Sequence, residues 1–419
     1  MELFLWLASQ FLAVWSNLSM LVIFLTFFTL SFDFMKRRRH WSNYPPGPAS
    51  FPFVGTMLHI NFNKPHLSFT QLSKKYGNIY SLQNSWTNIV VLNGFHTIKG
   101  ALVDKSEDFA DRPYFAVYSQ MGYGENNQGF IMAKYNHAWK EQKRFFISML
   151  KDFGMGKKCL EQLIIEEAGY LCSVFSSREG HPFDPHYLIN NAVSNVICFL
   201  IFGNRFDYND QKFQRLLHLL EKAIHEDVGF LPQLLHVTPF LLHIPGVVQK
   251  VFQHQKLLFD YVAQFLKAHK ETWNPSYKRD ITDAFLEEIE KKKKEDNSFN
   301  EGNFPLVMSD LFAAGTETTT TTLRWGLLYM ILHPNIQSKV QEEIDEVIGR
   351  NRLPKMEDQT NMPYTRAVIH EIQRFGDIVP TGIFHMTYRD TELEGFFIPK
   401  VAVPVQVNSW PEWSFSFSL

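Results

Sequence analysis

Apolar residues set the first landmarks along the chain. From Leu3 to Phe32 no residue is charged, and Leu21 to Leu30 is almost wholly apolar. About 20 such residues suffice for a helix to cross a bilayer. Residues 1–35 therefore read as an N-terminal transmembrane helix, a membrane anchor. The basic run Lys36-Arg37-Arg38-Arg39 follows directly and predicts that this end stays cytoplasmic. Tyr44-Pro45-Pro46-Gly47-Pro48 reads as a stiff extended connector, part of a basic and proline-rich hinge over 36–50.

Past the hinge the period changes repeatedly. His66 to Tyr76 patterns as a helix stopped by Gly77. Ile79–Leu82 and Ile89–Leu92 are short apolar runs, split by Asn84, Ser85 and Asn88, and read as paired strands. Beyond Phe95 a helical period predominates. It predicts helices at His137–Lys151, Lys158–Ser176, Pro185–Phe202, Asp210–His225, Val247–His269 and Ile281–Lys293. Leu306 to His333 fits one long helix bracketed by Pro305 and Pro334. At ~1.5 Å per residue it spans on the order of 40 Å. Further helices fit Asn335–Gly349 and Tyr364–Phe375, with short strands at His385–Arg389 and Gly395–Pro399. The fold class is mainly α with small β-sheets, one body over 51–400, behind a transmembrane helix.

Composition narrows the function classes. With 45% hydrophobic and 20% charged residues, the chain can bury a large core. A net charge of −2 gives no overall pull towards nucleic acid. The 39 phenylalanines suit an apolar cofactor or any well-packed interior. Cys159, Cys172 and Cys198 form neither a C-x-x-C pair nor a disulfide framework. They read as small buried hydrophobes.

Three clusters could carry chemistry. Inside the long helix, Ala313-Ala314-Gly315-Thr316-Glu317-Thr318 opens a threonine run to Thr322. Gly and Thr are poor helix formers, so the helix is expected to be loosened at its centre. Small Ala314 and Gly315 would let a flat group approach the backbone. Glu317 with Thr318 forms an acid–alcohol pair able to pass protons. On spacing alone, a tolerated Thr-rich turn is the simpler reading. Glu371 and Arg374 stand three residues apart on one helix face, a common and weak pairing. Trp139 with Lys143 and Arg144 could bind a carboxylate, or could lie on a solvated basic face.

The order of these pieces is more specific than any one of them. The anchor precedes Pro45-Pro46-Gly47-Pro48, then Trp139-Lys140-Glu141-Gln142-Lys143-Arg144-Phe145, then Ala314-Gly315-Thr316-Glu317-Thr318. Last comes Glu371-x-x-Arg374 within Met362-Pro363-Tyr364-Thr365-Arg366 to Phe375. The series resembles the microsomal cytochromes P450 of family 2, closest to subfamily D, from the anchor to about Lys400. The resemblance implies the P450 fold, haem b and a monooxygenase. It would insert one oxygen atom from O2 into a small lipophilic substrate of xenobiotic, fatty acid or steroid type. It also implies an endoplasmic-reticulum membrane address with the body on the cytoplasmic side, in contact with membrane lipid. Electrons would come from NADPH–cytochrome P450 reductase, with cytochrome b5 as a second donor.

By the same resemblance, Ala314, Gly315, Glu317 and Thr318 line the oxygen groove, and Thr318 relays protons. Glu371 and Arg374 form a buried structural pair under the haem. Arg112, Trp139 and His385 hold the haem propionates. Lys143 stands where the family has Arg, so it keeps the charge but loses the planar fork, with Arg144 available to compensate. Ile131, Asp227 and Asp310 fall at substrate-pocket positions, where acids favour basic amines in subfamily D. For both acids a surface or N-terminal carboxylate is the competing reading.

One departure is decisive for activity. The family's haem-ligating loop, Phe-x-x-Gly-x-Arg-x-Cys-x-Gly, does not occur, and all three cysteines precede the long helix. No residue is expected to ligate the iron. Residues 401–419 read as a divergent tail. Without the helix that follows the cysteine in the family, apolar surface is expected to stand exposed. The expected enzyme is therefore inactive in this form. The alternative is a membrane-tethered remnant that binds apolar ligands or partners without catalysis.

Overall fold

The computed structural model describes residues 19–32, 42–51, 54–62, 64–84, 87–114, 118, 121–124, 128–154, 158–226, 232, 235, 239–244, 246–291 and 299–407. The anchor is described only over 19–32, which is helical (α1) and exposes its apolar side chains. Among the described residues no helix is long and apolar enough to cross a membrane. The basic run 36–39, Asp227 and residues 408–419 lie outside the described residues.

The chain divides into two compact units, Met1–Pro113 with Pro380–Leu419, and Tyr114–Val379. The first unit is built on a three-stranded sheet. Strand β1 (Ile79–Asn84) pairs antiparallel with β2 (Thr87–Asn93), as the paired apolar runs predict. The far side of β2 takes β5 (Val403–Val407) in parallel, with Ile89 opposite Val403 and Val91 opposite Val405. β5 is an edge strand of this sheet, where Pro404 is tolerated. The residues read as a divergent tail thus begin with a strand. One sheet face buries Ile79, Val90 and Leu92 against Ala101, Phe109 and Ile398. The other buries Tyr80, Leu82 and Val91 against Phe69, which lies on helix α2 (Pro65–Tyr76). A short helix, α3 (Phe95–Lys99), follows β2.

The proline connector docks on this sheet. The Ser81 amide donates to the Pro46 carbonyl at 2.7 Å, and the Ser81 hydroxyl to the Pro45 carbonyl at 2.8 Å. A Cβ on Gly47 would collide with the Ser81 carbonyl, so this close approach requires glycine. A two-stranded ribbon, β3 (Thr391–Leu393) with β4 (Phe396–Ile398), completes the unit. The strand expected at His385–Arg389 is instead an irregular strap with one bridge, Asp111 to Met386.

The second unit is helical. It contains α4 (His137–Asp152), α5 (Lys158–Ser176), α6 (His186–Phe202), α7 (Gln211–Glu226), α8 (Val247–Val251), α9 (Gln253–Thr272), α10 (Ile281–Lys291), α11 (Phe304–Leu332), α12 (Pro334–Val347) and α13 (Pro363–Gly376). Boundaries match the expected ones within about two residues, with one correction. The helix expected over Val247–His269 breaks at Phe252, whose backbone leaves the helical region (φ −115, ψ 36). The buried Phe252 side chain packs with Val248 and Leu242.

The core of this unit is phenylalanine-rich. Phe146, Phe202, Phe213, Phe285, Phe304 and Phe312 are buried together. Helix α11 runs through it, packed on α6 and α9, and meets α13 near its C-terminus. There Gly326 faces Ile372, and Gly376 faces Trp325.

Candidate functional site

The threonine run of α11 separates into two faces. Thr316 and Thr320 are buried towards α6, where the Ser194 hydroxyl lies 3.5 Å from Thr316 and Thr320 donates to Asn190 at 3.4 Å. Gly315 belongs to this packed face. A Cβ there would lie 2.6 Å from Ile197 Cδ1, so the glycine lets α6 approach the helix. Ala314 and Thr318, one turn apart, are exposed on another face. Of the two small residues expected to admit a flat group, Ala314 is exposed and Gly315 is covered.

The helix is continuous through this segment, which corrects the expected loosening. Thr318 donates its hydroxyl to the Ala314 carbonyl at 2.6 Å, and Thr322 donates to the Thr318 carbonyl at 2.8 Å. Threonines in the helix are accommodated by such bonds one turn back. Glu317 is partnered not with Thr318 but with Thr321, which donates to its carboxylate at 3.2 Å.

One turn before Ala314, Asp310 accepts from the backbone amides of Phe130 at 2.7 Å and Ile131 at 2.9 Å, both on Oδ2. Two of the three pocket candidates are thereby joined. Asn303 secures the same loop by accepting from the Gly129 amide at 2.9 Å. Burial pushes the Asp310 carboxyl up to about 6, against the pull of the two amides. Its Oδ1 accepts no hydrogen bond among the described residues.

Trp139 stands in the first turn of α4, where the Asn136 side chain caps the helix by accepting from the Trp139 amide at 2.8 Å. Its indole N–H donates to the Phe130 carbonyl at 3.2 Å, and its ring stacks on Phe130. The Lys143 ammonium lies 5.1 Å from the indole centroid, a cation–π contact, and is otherwise exposed, as is Arg144.

Arg112 and His385 lie in the sheet unit. Backbone bonds pair their segments, from the Asp111 amide to the Met386 carbonyl at 3.1 Å and from the Met386 amide to the Asp111 carbonyl at 2.7 Å. Arg112 Nη1 donates to the Phe384 carbonyl at 2.7 Å, and His385 Nδ1 lies 2.7 Å from the Phe109 carbonyl. Burial, then the Arg112 charge, push the His385 imidazole down to about 4, only partly offset by the Phe109 carbonyl. It is neutral at physiological pH. Burial also lowers the Arg112 guanidinium, which stays cationic.

Arg374 forks onto Glu371 with bonds of 2.7 and 2.6 Å. The fork holds the Glu371 carboxyl below its ordinary range. The pair is partly exposed rather than buried, and no residue of α13 is fully buried. Around it, Leu323, Leu327, Leu328 and Ile331 of α11 and Ile369 and Phe375 of α13 expose large apolar surface.

A model of the family described as "Cytochrome P450" matches residues 45–410. The chain belongs to the cytochrome P450 family. It is 50% identical to cytochrome P450 2D15 of Canis lupus familiaris over 387 residues, 92% of this chain and 77% of that protein. It is 49% identical to cytochrome P450 2D6 of Homo sapiens over 383 residues (91% and 77%). Cytochrome P450 2D4 of Rattus norvegicus matches at 49% over 388 residues (92% and 78%). This is a P450 of family 2, closest to subfamily D. Membership brings haem b and the monooxygenation of lipophilic substrates, with redox partners of the reductase kind.

The P450 residues fit part of a haem site. The Arg112 guanidinium is a cationic donor for a carboxylate, as propionates require, while the neutral His385 ring beside it spends its Nδ1 hydrogen on the Phe109 carbonyl. An axial thiolate is a different matter. Cys198 is fully buried among core apolar residues, and burial pushes its thiol far above the ordinary range, so it stays protonated. Cys172 is exposed on α5, which corrects its reading as a buried hydrophobe. The side chain of Cys159 lies outside the described residues.

Sequence reasoning missed one polar network. His269 Nε2 lies 3.0 Å from Asp280, Asp280 caps α10 by accepting from the Asp283 amide at 2.9 Å, and Arg279 forks onto Asp283. His269, Asp280 and Asp283 are close enough together to hold a metal ion. Arg279 already supplies the positive charge, so the network reads as a latch between α9 and α10. Its only sequence signal was Asp280 three residues before Asp283 at a helix start.

Proposed function

We propose that this chain is the body of an endoplasmic-reticulum P450, held by a single N-terminal span with the body on the cytoplasmic side. Its electrons come from NADPH through cytochrome P450 reductase, with cytochrome b5 as a second donor. The observation that carries the reading is the open α11 face, where Ala314 leaves room and Thr318 and Glu317 supply hydroxyl and acid. Haem, when bound, supplies oxygen activation at its iron. Thr318 then leaves the Ala314 carbonyl and presents its hydroxyl to the open side, while Glu317, held by Thr321, recharges the relay. By the family pattern, Arg112 and His385 of the sheet unit are proposed as propionate groups, and so, each on its own unit, are Trp139 and Lys143 of the helical one. Asp310 holds the loop bearing Ile131 through Oδ2 and offers Oδ1 to a basic amine on an otherwise apolar substrate. Asp227 is proposed as the second acid of that pocket.

A protein made of these 419 residues alone is proposed to be catalytically silent, because it supplies no thiolate to the iron. Leu323, Ile331 and Phe375 stand as exposed apolar side chains among the described residues. The test is the carbon monoxide difference spectrum of the reduced chain in membranes. The 419 residues are expected to give no thiolate-type Soret band. The same chain extended by the cysteine loop and final helix of a subfamily D relative is expected to give one. A thiolate-type band from the 419 residues would overturn the proposed silence, and its absence from the extended chain would overturn the haem-site reading.

A further inference from the structure

We propose that His385 takes up a proton when a carboxylate docks beside Arg112, so that this half of the site binds an ionised propionate together with a proton. The inference rests on the haem reading above and deepens it.

The reason is the tautomer. His385 Nδ1 lies 2.7 Å from the Phe109 carbonyl oxygen. A carbonyl oxygen only accepts, so Nδ1 carries the hydrogen and donates it. In the neutral ring, Nε2 then presents a bare lone pair. Among the described residues nothing donates to or accepts from it. A carboxylate is also an acceptor only, so the two meet as acceptor against acceptor. They become partners once Nε2 holds a proton, giving an imidazolium–carboxylate hydrogen bond of the charge-assisted kind.

The surroundings keep the ring neutral until an anion arrives. Arg112 is the cation beside it, fixed by its bond to the carbonyl of Phe384, the residue next to His385. Asp111 Oδ1 accepts from the Arg112 backbone amide at 3.0 Å. Asp108 is committed to Arg389 and Thr391. An incoming carboxylate offsets the Arg112 charge and contributes a negative charge of its own, and both changes favour protonation. The proton comes from solvent. His385 is thus a positioning residue whose charge is set by the ligand.

The experiment uses the whole chain in detergent, with metal-free protoporphyrin IX as probe, so that no axial ligand is needed. Affinity is read from porphyrin fluorescence between pH 6 and 8. The proton count is read by calorimetry in two buffers of different ionisation heat. Affinity is expected to fall by up to tenfold per pH unit, with close to one proton taken up. His385→Gln, whose amide donates without a proton, is expected to bind with a flat profile. The dimethyl ester, which has no carboxylate, should be flat with both proteins. Ionisation of the propionates themselves would act in the opposite direction. A wild-type slope matched by His385→Gln, or no proton uptake, overturns the inference and leaves the haem reading standing. Failure of both protoporphyrin and hemin to bind at any pH overturns the haem reading itself.

Discussion

The two halves of α11 have similar apolar content and opposite fates. From Phe304 to Phe312 the helix is sunk in the phenylalanine core, with Phe304, Val307, Met308 and Phe312 essentially inaccessible. From Thr321 to Leu332 it has no fully buried residue, and Leu323 and Ile331 are 47% and 71% exposed. Helical propensity and hydropathy do not separate these halves; the elements packed on them do. The first half shares the apolar core with residues of α6 and α9, such as Ile201, Phe202, Leu258 and Val262. The second meets α13 along a narrow seam at Gly326 and Ile372. The segment Ala314–Thr318, proposed above to face the haem, sits at the transition, packed on its α6 side and exposed on the other.

The largest test of that contrast is a pair of truncations. Phe312→Ala removes a ring from the packed half and is expected to cost about 3–5 kcal/mol. Ile331→Ala removes an already exposed side chain and is expected to change stability by less than about 0.5 kcal/mol. Urea midpoints of the detergent-solubilised chain, followed by pulse proteolysis, compare the two. Equal losses would mean that the second half is covered in solution, and the contrast fails.

Two glycines sharpen it. Gly315→Ala drives a Cβ to 2.6 Å from Ile197 Cδ1, and overpacking of this kind costs about 1–3 kcal/mol. Combining it with Ile197→Ala is expected to recover at least about 1 kcal/mol in a double-mutant cycle. Gly326→Ala meets Ile372 only at 3.6 Å, ordinary contact, so the better helix former is expected to gain about 0.5–1 kcal/mol. Thermal unfolding of the four variants reads both signs. A destabilising Gly326→Ala would place an unseen neighbour over the second half.

How far the sequence foretold this arrangement depends on whether a feature is local. Lys158–Ser176, and the long helix bracketed by Pro305 and Pro334, were legible to within about two residues. So were the paired strands β1 and β2. The break at Phe252 carries no glycine or proline; it comes from the packing of its ring on Val248 and Leu242, a tertiary cause. The segment His385–Arg389 reads as a short strand in the sequence and folds as a strap. Its polar groups are spent elsewhere, with the Thr387 hydroxyl donating to the Pro399 carbonyl at 2.7 Å. At the site, residue types were legible and their partners were not. The threonine run does not reveal that Thr316 and Thr320 face α6 while Thr318 is open, because five consecutive threonines, Thr318 to Thr322, give no periodic signal. That Asp310 would hold the Phe130 and Ile131 amides depends on a loop some 180 positions away.

The smallest effect concerns Asp310 and pH. In the folded chain its carboxyl is raised to about 6, whereas an unfolded Asp titrates near 3.9. Between those values the folded form binds the extra proton, so stability is highest at the acid end of the window and falls as pH rises through it. The two amide bonds to Oδ2 favour the ionised form and limit the shift, and burial outweighs them. Partial solvent access trims the effect to about 1 kcal/mol across the window. Asp310→Asn keeps an acceptor for the Phe130 and Ile131 amides but cannot titrate. Melting temperatures measured from pH 4 to 7 are expected to drop more steeply for the parent chain than for Asp310→Asn. Parallel profiles would mean that the carboxylate reaches water freely. The loop bearing Ile131 would then be held by Asn303 and Trp139 rather than by a charge sunk beside the packed half of α11.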